Sequence, residues 1–255
     1  MEKIVHILSL LLIVTVTQNL TAQVNKTDAN GKKQGEWMKT YPNSRAFEYK
    51  GQFKDDKPVG TFTYFYPSTK VKAIVKHDPN STRSSAFMYH ETGTVVAFGI
   101  YRSQKKDSVW THFGPSGRLS YKETYKNGQL NGKKTIYYIP EDPEDKSERI
   151  AKIYTYKMDV IDGEVIEYFD SGSLKSKATY VNGRQEGIFI MNHPGGKPMI
   201  EERYKNGERH GWCLAFDEEG KEIGRKFYKG GKELSGKDLD LWLKYCKQKG
   251  LNPNN

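Results

Sequence analysis

The sequence predicts an all-β protein: an elongated, single-layer antiparallel β-meander of stacked hairpin repeats, followed by a short C-terminal capping helix. Three observations predict it. A phrase ending in a small residue, usually glycine, returns about every 24 residues, a period that marks repeat arrays. The runs between phrases alternate, as in "TFTYFY" (Thr61 to Tyr66), which is strand periodicity. Aromatic residues make up 13% of the chain against a hydrophobic content of 36%. Flat rings suit a pleated surface, and the aliphatic shortage argues against a thick, doubly covered core.

Taken in order, the first element is an export signal. Lys3 precedes an apolar stretch from Ile4 to Val16, and "LTAQ" (Leu20 to Gln23) offers small residues before a cut after Ala22. The stretch is shorter than the ~20 residues of a membrane-spanning helix; an uncleaved anchor is the competing reading. Residues 1–22 thus read as a signal peptide. The mature chain is expected to begin at Gln23 and to be periplasmic, cell-surface or secreted.

The second element, residues 23–236, is an array of about eight repeats. The phrases "YKNGQLNG", "YVNGRQEG" and "YKNGERHG" end at Gly132, Gly187 and Gly211. Equivalent anchors are Gly35, Gly60, Ser85, Ser108, Gly163 and Gly236. An aromatic stands seven residues before the anchor at Phe53, Tyr101, Tyr125, Tyr156, Tyr180 and Tyr204, with Tyr228 one residue further from its anchor. Two residues after the anchor stand Trp37, Phe62, Phe87, Trp110, Val165, Phe189 and Cys213, with Lys134 as the exception. A second turn lies mid-repeat, at Gly93, Gly117, Gly172, Gly196 and Gly220. Asn-Gly supplies positive φ at little cost, so each unit reads as a β-hairpin. The insertion "IPEDPEDKSER" (139–149) lengthens one step and reads as a surface loop.

The third element, residues 237–255, is a helix and tail. Leu239, Trp242, Leu243 and Cys246 fall at helical spacing, Asp238 sits in the first turn and Gly250 is placed as a C-cap. Its expected role is to cover the last hairpin, because an open sheet otherwise ends in an exposed edge. The two cysteines, Cys213 and Cys246, either pair in an oxidising compartment or remain separate buried thiols.

The tract of an aromatic two residues past a glycine, a small mid-repeat turn and Tyr-x-Asn-Gly-x-x-x-Gly resembles the MORN repeat, most closely its bacterial variant form. Tyr180 to Gly187, Tyr204 to Gly211 and Tyr125 to Gly132 carry the resemblance best. It departs at Ser85 and Ser108, where the closing glycine is lost. The resemblance implies an elongated sheet acting as a scaffold or binding surface, without catalysis; some bacterial variant members are labelled antitoxins. The matched repeat positions Tyr125, Gly132, Tyr156, Gly163, Tyr180, Gly187, Tyr204, Gly211 and Tyr228 are structural, so no functional site transfers.

Chemistry is sparse. The 6 histidines form no metal-binding spacing, and no nucleophile elbow or phosphate loop is present. No cofactor and no enzymatic activity are expected. The formal net charge is +10, and lysines and arginines gather around the Asn-Gly turns. Stacking in register would align Arg184, Lys205, Arg209 and Lys229 into a basic binding edge, against the alternative of a merely solubilising surface. Two functions follow: a protein-interaction scaffold, immunity- or antitoxin-like, or a module for an anionic envelope surface such as lipid headgroups, lipopolysaccharide or glycan. Export makes nucleic acid an unexpected partner.

Overall fold

The computed structural model describes residues 24–254. The export segment and its cut after Ala22 lie outside the described residues. The described residues are 59% strand and form a single open antiparallel sheet of 19 strands in meander order. The strands are β1 (Lys26–Thr27), β2 (Lys33–Thr40), β3 (Phe47–Lys54), β4 (Lys57–Phe65), β5 (Val71–His77), β6 (Arg83–Tyr89), β7 (Val95–Arg102), β8 (Lys105–Phe113), β9 (Leu119–Lys126) and β10 (Gln129–Tyr137). They continue with β11 (Ile150–Lys157), β12 (Val160–Tyr168), β13 (Leu174–Val181), β14 (Arg184–Asn192), β15 (Pro198–Lys205), β16 (Glu208–Arg209), β17 (Gly211–Phe216), β18 (Glu222–Lys229) and β19 (Lys232–Leu234). Helix α1 (Gly236–Lys249) follows.

The Asn-Gly turns show why the phrase repeats. Asn127 and Gly128, Asn182 and Gly183, and Asn206 and Gly207 all have positive φ, the two-residue turn whose twist matches paired strands. The second turn residue then donates its amide to the previous unit: Gly128 to Lys106 O at 2.8 Å, Gly183 to Ile161 O at 2.8 Å, and Gly207 to Gln185 O at 2.9 Å. Each turn therefore closes its own hairpin and ties it to its neighbour. At the mid-repeat edge a second ladder does the same. Tyr41, Tyr66 and Tyr138 donate their hydroxyls to the carbonyls of Phe65, Tyr89 and Tyr168 in the next unit, at 2.7, 2.8 and 2.8 Å.

The closing glycine is a bulge inside a strand. Opposite Gly51 on β3 stand three residues of β4, Gly60 to Phe62, because Lys50 pairs with Thr63 and Gln52 with Val59. Gly60 adopts φ 65° there, and the extra residues let the bulged strand bend. The same bulge recurs at Ser108, Gly163 and Gly187. Ser108 takes φ 60° without being glycine, so that departure from the repeat leaves the geometry intact.

Ser85 behaves differently. β5 and β6 pair without interruption from Ala73 opposite Met88 to His77 opposite Ser84. The two residues that form a bulge elsewhere lie here in the longer 78–82 connection, so the spacing is kept while the facing changes. Ala86, not Phe87, occupies the position equivalent to Phe62, opposite Val75. Phe87 points from the other face.

That other face and this one differ in chemistry. One face carries Phe62, Ala86 and Trp110, at 2%, 0% and 0% exposure, the nearest thing the single layer has to a core. Small neighbours make room for the rings: a Cβ built on Gly51 would lie 2.4 Å from the Phe62 ring, and one on Gly99 2.3 Å from the Trp110 ring. The Trp110 indole N–H donates to Ile100 O at 2.9 Å. The opposite face runs Ile74, Phe87, Phe98, Thr111 and Lys122 through successive paired strands.

Helix α1 begins after Ser235 and ends at Gly250, which has φ 64°. Leu239, Trp242 and Leu243 are half-buried and Cys246 is buried, while Phe227 on β18 is 1% exposed. The tail adds a direct tie, with Trp212 N–H donating to Asn254 Oδ1 at 3.0 Å. Cys213 and Cys246 are both free thiols, and burial raises the Cys213 pKa above its ordinary value.

Candidate functional site

Three surfaces are candidates. The first is the edge formed by the two-residue hairpin turns, the Asn-Gly turns and their equivalents. Register places Lys54 opposite Lys57, Arg102 opposite both Arg83 and Lys105, and Lys229 opposite Lys232. Like charges directly across a ladder cost stability, and of these cations Arg102 has a carboxylate nearby, Asp107 Oδ1 at 3.7 Å.

Within this edge the four sequence candidates differ. Arg184 and Lys205 are exposed and line a shared concavity of about 440 Å³ with Asn182 and Asn206. Arg209 is exposed but paired, with its guanidinium 2.8 Å from Glu202 Oε1 and 5.4 Å from the Tyr228 ring centre. Lys229 lies 3.5 Å over the Trp242 ring of α1. The structure thus brings Arg184 and Lys205 together and gives Arg209 and Lys229 intramolecular partners. The repeat tyrosines Tyr125, Tyr156, Tyr180, Tyr204 and Tyr228 are half-buried; Gly132, Gly163, Gly187 and Gly211 all have positive φ.

The second surface is a polar cluster on the Trp110 face that the sequence reading did not assemble. At Lys134 the expected apolar residue is replaced by a cation, and its partner stands directly across the strands. Lys134 Nζ donates to Glu123 Oε1 at 2.9 Å, and Tyr125 OH donates to Glu123 Oε2 at 2.8 Å. His112 Nε2 approaches Glu123 Oε2 at 3.5 Å, and its ring stacks on Tyr121 at 4.2 Å. Lys106 sits 4.5 Å over Trp110 and 4.8 Å over Tyr125. Burial pushes the Glu123 carboxyl up, but the hydrogen bonds from Lys134 and Tyr125 outweigh it and hold the pKa below the ordinary value. The signal was "KETYK" (Lys122 to Lys126), whose Glu-x-Tyr spacing recurs in "EERYK": Tyr204 OH donates to Glu202 Oε2 at 2.7 Å.

His112 of this cluster, and His77 beside Ser84 on the same sheet, make stability pH-dependent. Burial, and for His112 also the nearby Lys106, holds the imidazoles of His77 and His112 below the ordinary value of 6.5. As pH falls through about 6.5 the unfolded chain binds protons first, so stability is lost on acidification, down to the folded-state values. Urea midpoints at pH 8 and pH 5.5 are expected to fall in that order, and His112→Gln to flatten the difference. A midpoint independent of pH in this window would contradict the buried, neutral state of these rings.

The third surface is the aromatic ladder of the opposite face. Phe87 stacks on Phe98 at 5.5 Å, and Phe98 lies 5.9 Å from Phe113. Phe87 is 43% and Phe98 37% exposed. Exposed Lys76, Arg83 and Arg102 flank this ladder toward the turn edge.

A profile of the MORN repeat variant matches residues 161–182 and 185–206. Residues 161–206 hold two MORN variant repeats. Each matched MORN unit runs through one mid-repeat turn, β12 to β13 and β14 to β15, and neighbouring units meet at the Asn-Gly turn between Val181 and Arg184. MORN repeats are non-catalytic modules that bind proteins or membranes. Comparison with curated proteins finds no match. Among the described residues no helix is long and apolar enough to cross a membrane, and no group of His, Cys, Asp or Glu is arranged to hold a metal ion.

Proposed function

We propose that this chain is an exported, non-enzymatic scaffold that presents its sheet to a partner protein, in an immunity- or antitoxin-like role. The Phe87–Phe98–Phe113 ladder carries the reading. Stacked, exposed phenylalanines on a monomer surface are a feature of interaction sites, and large rings dominate binding energy where they become buried. The flanking Lys76, Arg83 and Arg102 select a partner face that is apolar at its centre and acidic at its rim. A photo-crosslinking residue at position 87, expressed in the native host, tests this. One dominant protein adduct is expected, lost when Phe98 is changed to Ser. Adducts no more specific than those from position 188, at an exposed isoleucine of a distant unit, would sink the idea.

A second reading rests on the cations of the hairpin-turn edge. Each Lys or Arg near an anionic membrane contributes about 1 kcal/mol, so Arg184, Lys205 and the exposed lysines beside them favour an anionic envelope surface. Co-sedimentation with phosphatidylglycerol vesicles should be lost by about 0.5 M salt and weakened by replacing Arg184 and Lys205 with Gln. Export itself has its own check. Intact mass of protein from the native host is expected to begin at Gln23, and a full-length species would remove the exported part of the reading.

A further inference from the structure

The missing bulge at Ser85 exposes Phe87 on one face and has a second effect on the other. The flanking returning strands β4 and β8 place Phe62 and Trp110 on this face, but β6 places Ala86 there. Across β5, β6 and β7 that face carries Val75, Ala86 and Gly99 in one row and Ala73, Met88 and Ala97 in the next. A trough opens over Ala73 and Val75, with a volume of about 780 Å³. Tyr49, Phe62 and Tyr64 form one wall, and Met88 and Tyr101 the other. From Tyr49 on β3 to Tyr101 on β7 it crosses four strand steps, about 19 Å.

We infer that this trough binds a neutral oligosaccharide. Its lining is amphipathic in the way a sugar is. The half-buried rings of Tyr49 and Tyr64 lie 6.0 Å apart, beside the buried Phe62, and offer faces to the C–H side of a pyranose. Among the described residues the hydroxyls of Tyr49, Tyr64 and Tyr101 meet no hydrogen-bond partner, which leaves them for the sugar hydroxyls. Concave, mostly apolar sites with a few polar groups are the usual form of a small-ligand site.

Charge works against the anionic alternative here. Glu48 and Asp56 line the trough, against Lys72 as its one lysine or arginine. Glu48 Oε2 lies 2.7 Å from Lys39 Nζ, Asp56 Oδ1 accepts from the Lys33 amide at 2.8 Å, and Lys72 is exposed, with Nζ 5.7 Å over the Tyr66 ring. A carboxylate or phosphate would meet more acidic than basic side chains. The site is thus separate in place and chemistry from the basic edge and from the phenylalanine ladder.

Isothermal titration of the purified protein with cellohexaose, N-acetylchitohexaose and maltohexaose tests it, with polygalacturonate as the anionic comparison. At least one neutral hexasaccharide is expected to bind, with an affinity unchanged between low salt and about 0.5 M salt. Ala73→Phe fills the trough floor and is expected to weaken binding at least about tenfold, a loss of about 1.4 kcal/mol. Should that variant fail to fold, Tyr64→Phe with Tyr101→Phe keeps the rings, removes the free hydroxyls and is expected to weaken binding several-fold. No neutral binding at millimolar sugar, binding of polygalacturonate alone, or binding indifferent to these variants would each overturn the inference.

Discussion

Replacing Trp110 by alanine is expected to lower the unfolding free energy by about 3–5 kcal/mol, the cost of deleting a buried large aromatic. Trp110 is wholly buried in a single layer, and it packs with Ala86 and Ala97 against Val75, Met88, Tyr101 and Tyr125. A repeat array is stabilised through nearest-neighbour contacts, so the loss should also uncouple the units on either side and broaden the denaturation transition. Val109→Ser, at the exposed residue beside it, should stay within about 0.5 kcal/mol. Gly99 supplies a sign test. A Cβ there would lie 2.3 Å from the Trp110 ring, so Gly99→Ala should cost about 1–3 kcal/mol by overpacking. In the Trp110→Ala background the same methyl enters the vacated space, and its effect should vanish or reverse. Additive costs measured by urea denaturation would show that glycine and indole do not share this contact.

The second large effect is expected at Glu123. Glu123→Ala leaves Lys134 partly buried without its anion and Tyr125 without its acceptor. Breaking a buried pair costs 3–5 kcal/mol; the side chain of Lys134 is 27% exposed, which reduces the expected loss to about 2–3 kcal/mol. Replacing both partners, Glu123→Leu with Lys134→Met, removes the charge and its partner together and should be close to neutral. Equal losses for the single and double variants, read from chemical denaturation, would mean that the pair contributes through something other than its mutual compensation.

These effects mark where the sequence was readable. Period and alternation sufficed for the hairpins, because Tyr-x-Asn-Gly specifies a turn locally and the turn itself binds the next unit. Helix α1 was equally legible, since Leu239, Trp242, Leu243 and Cys246 share one helical face, Asp238 lies in the first turn and Gly250 closes the last. Phe87 was not. Its spacing from Ser85 copies that of Phe62 from Gly60, yet the two residues used for a bulge in one unit lengthen a loop in the other, and spacing counts both alike. Ser108, which lost the same glycine, kept the bulge, so the residue type alone does not decide it. Arg209 and Lys229 read as edge charges because sequence shows the cation and not the Glu202 or Trp242 that engages it. The Glu123 cluster depends on cross-strand register, which places Lys134 opposite Glu123 across 11 residues of chain.

Hydroxyl-radical footprinting of the purified protein tests most directly whether the lost bulge turns the sheet's chemistry inside out at this unit. Phe87 and Phe98 are expected to be oxidised readily, while Phe62 and Trp110, which spacing alone would group with Phe87, are protected to the level of the core. Phe87 protected as strongly as Phe62 would mean that the bulge is present at Ser85, that Phe87 lies on the Trp110 face, and that neither the exposed ladder nor the trough exists.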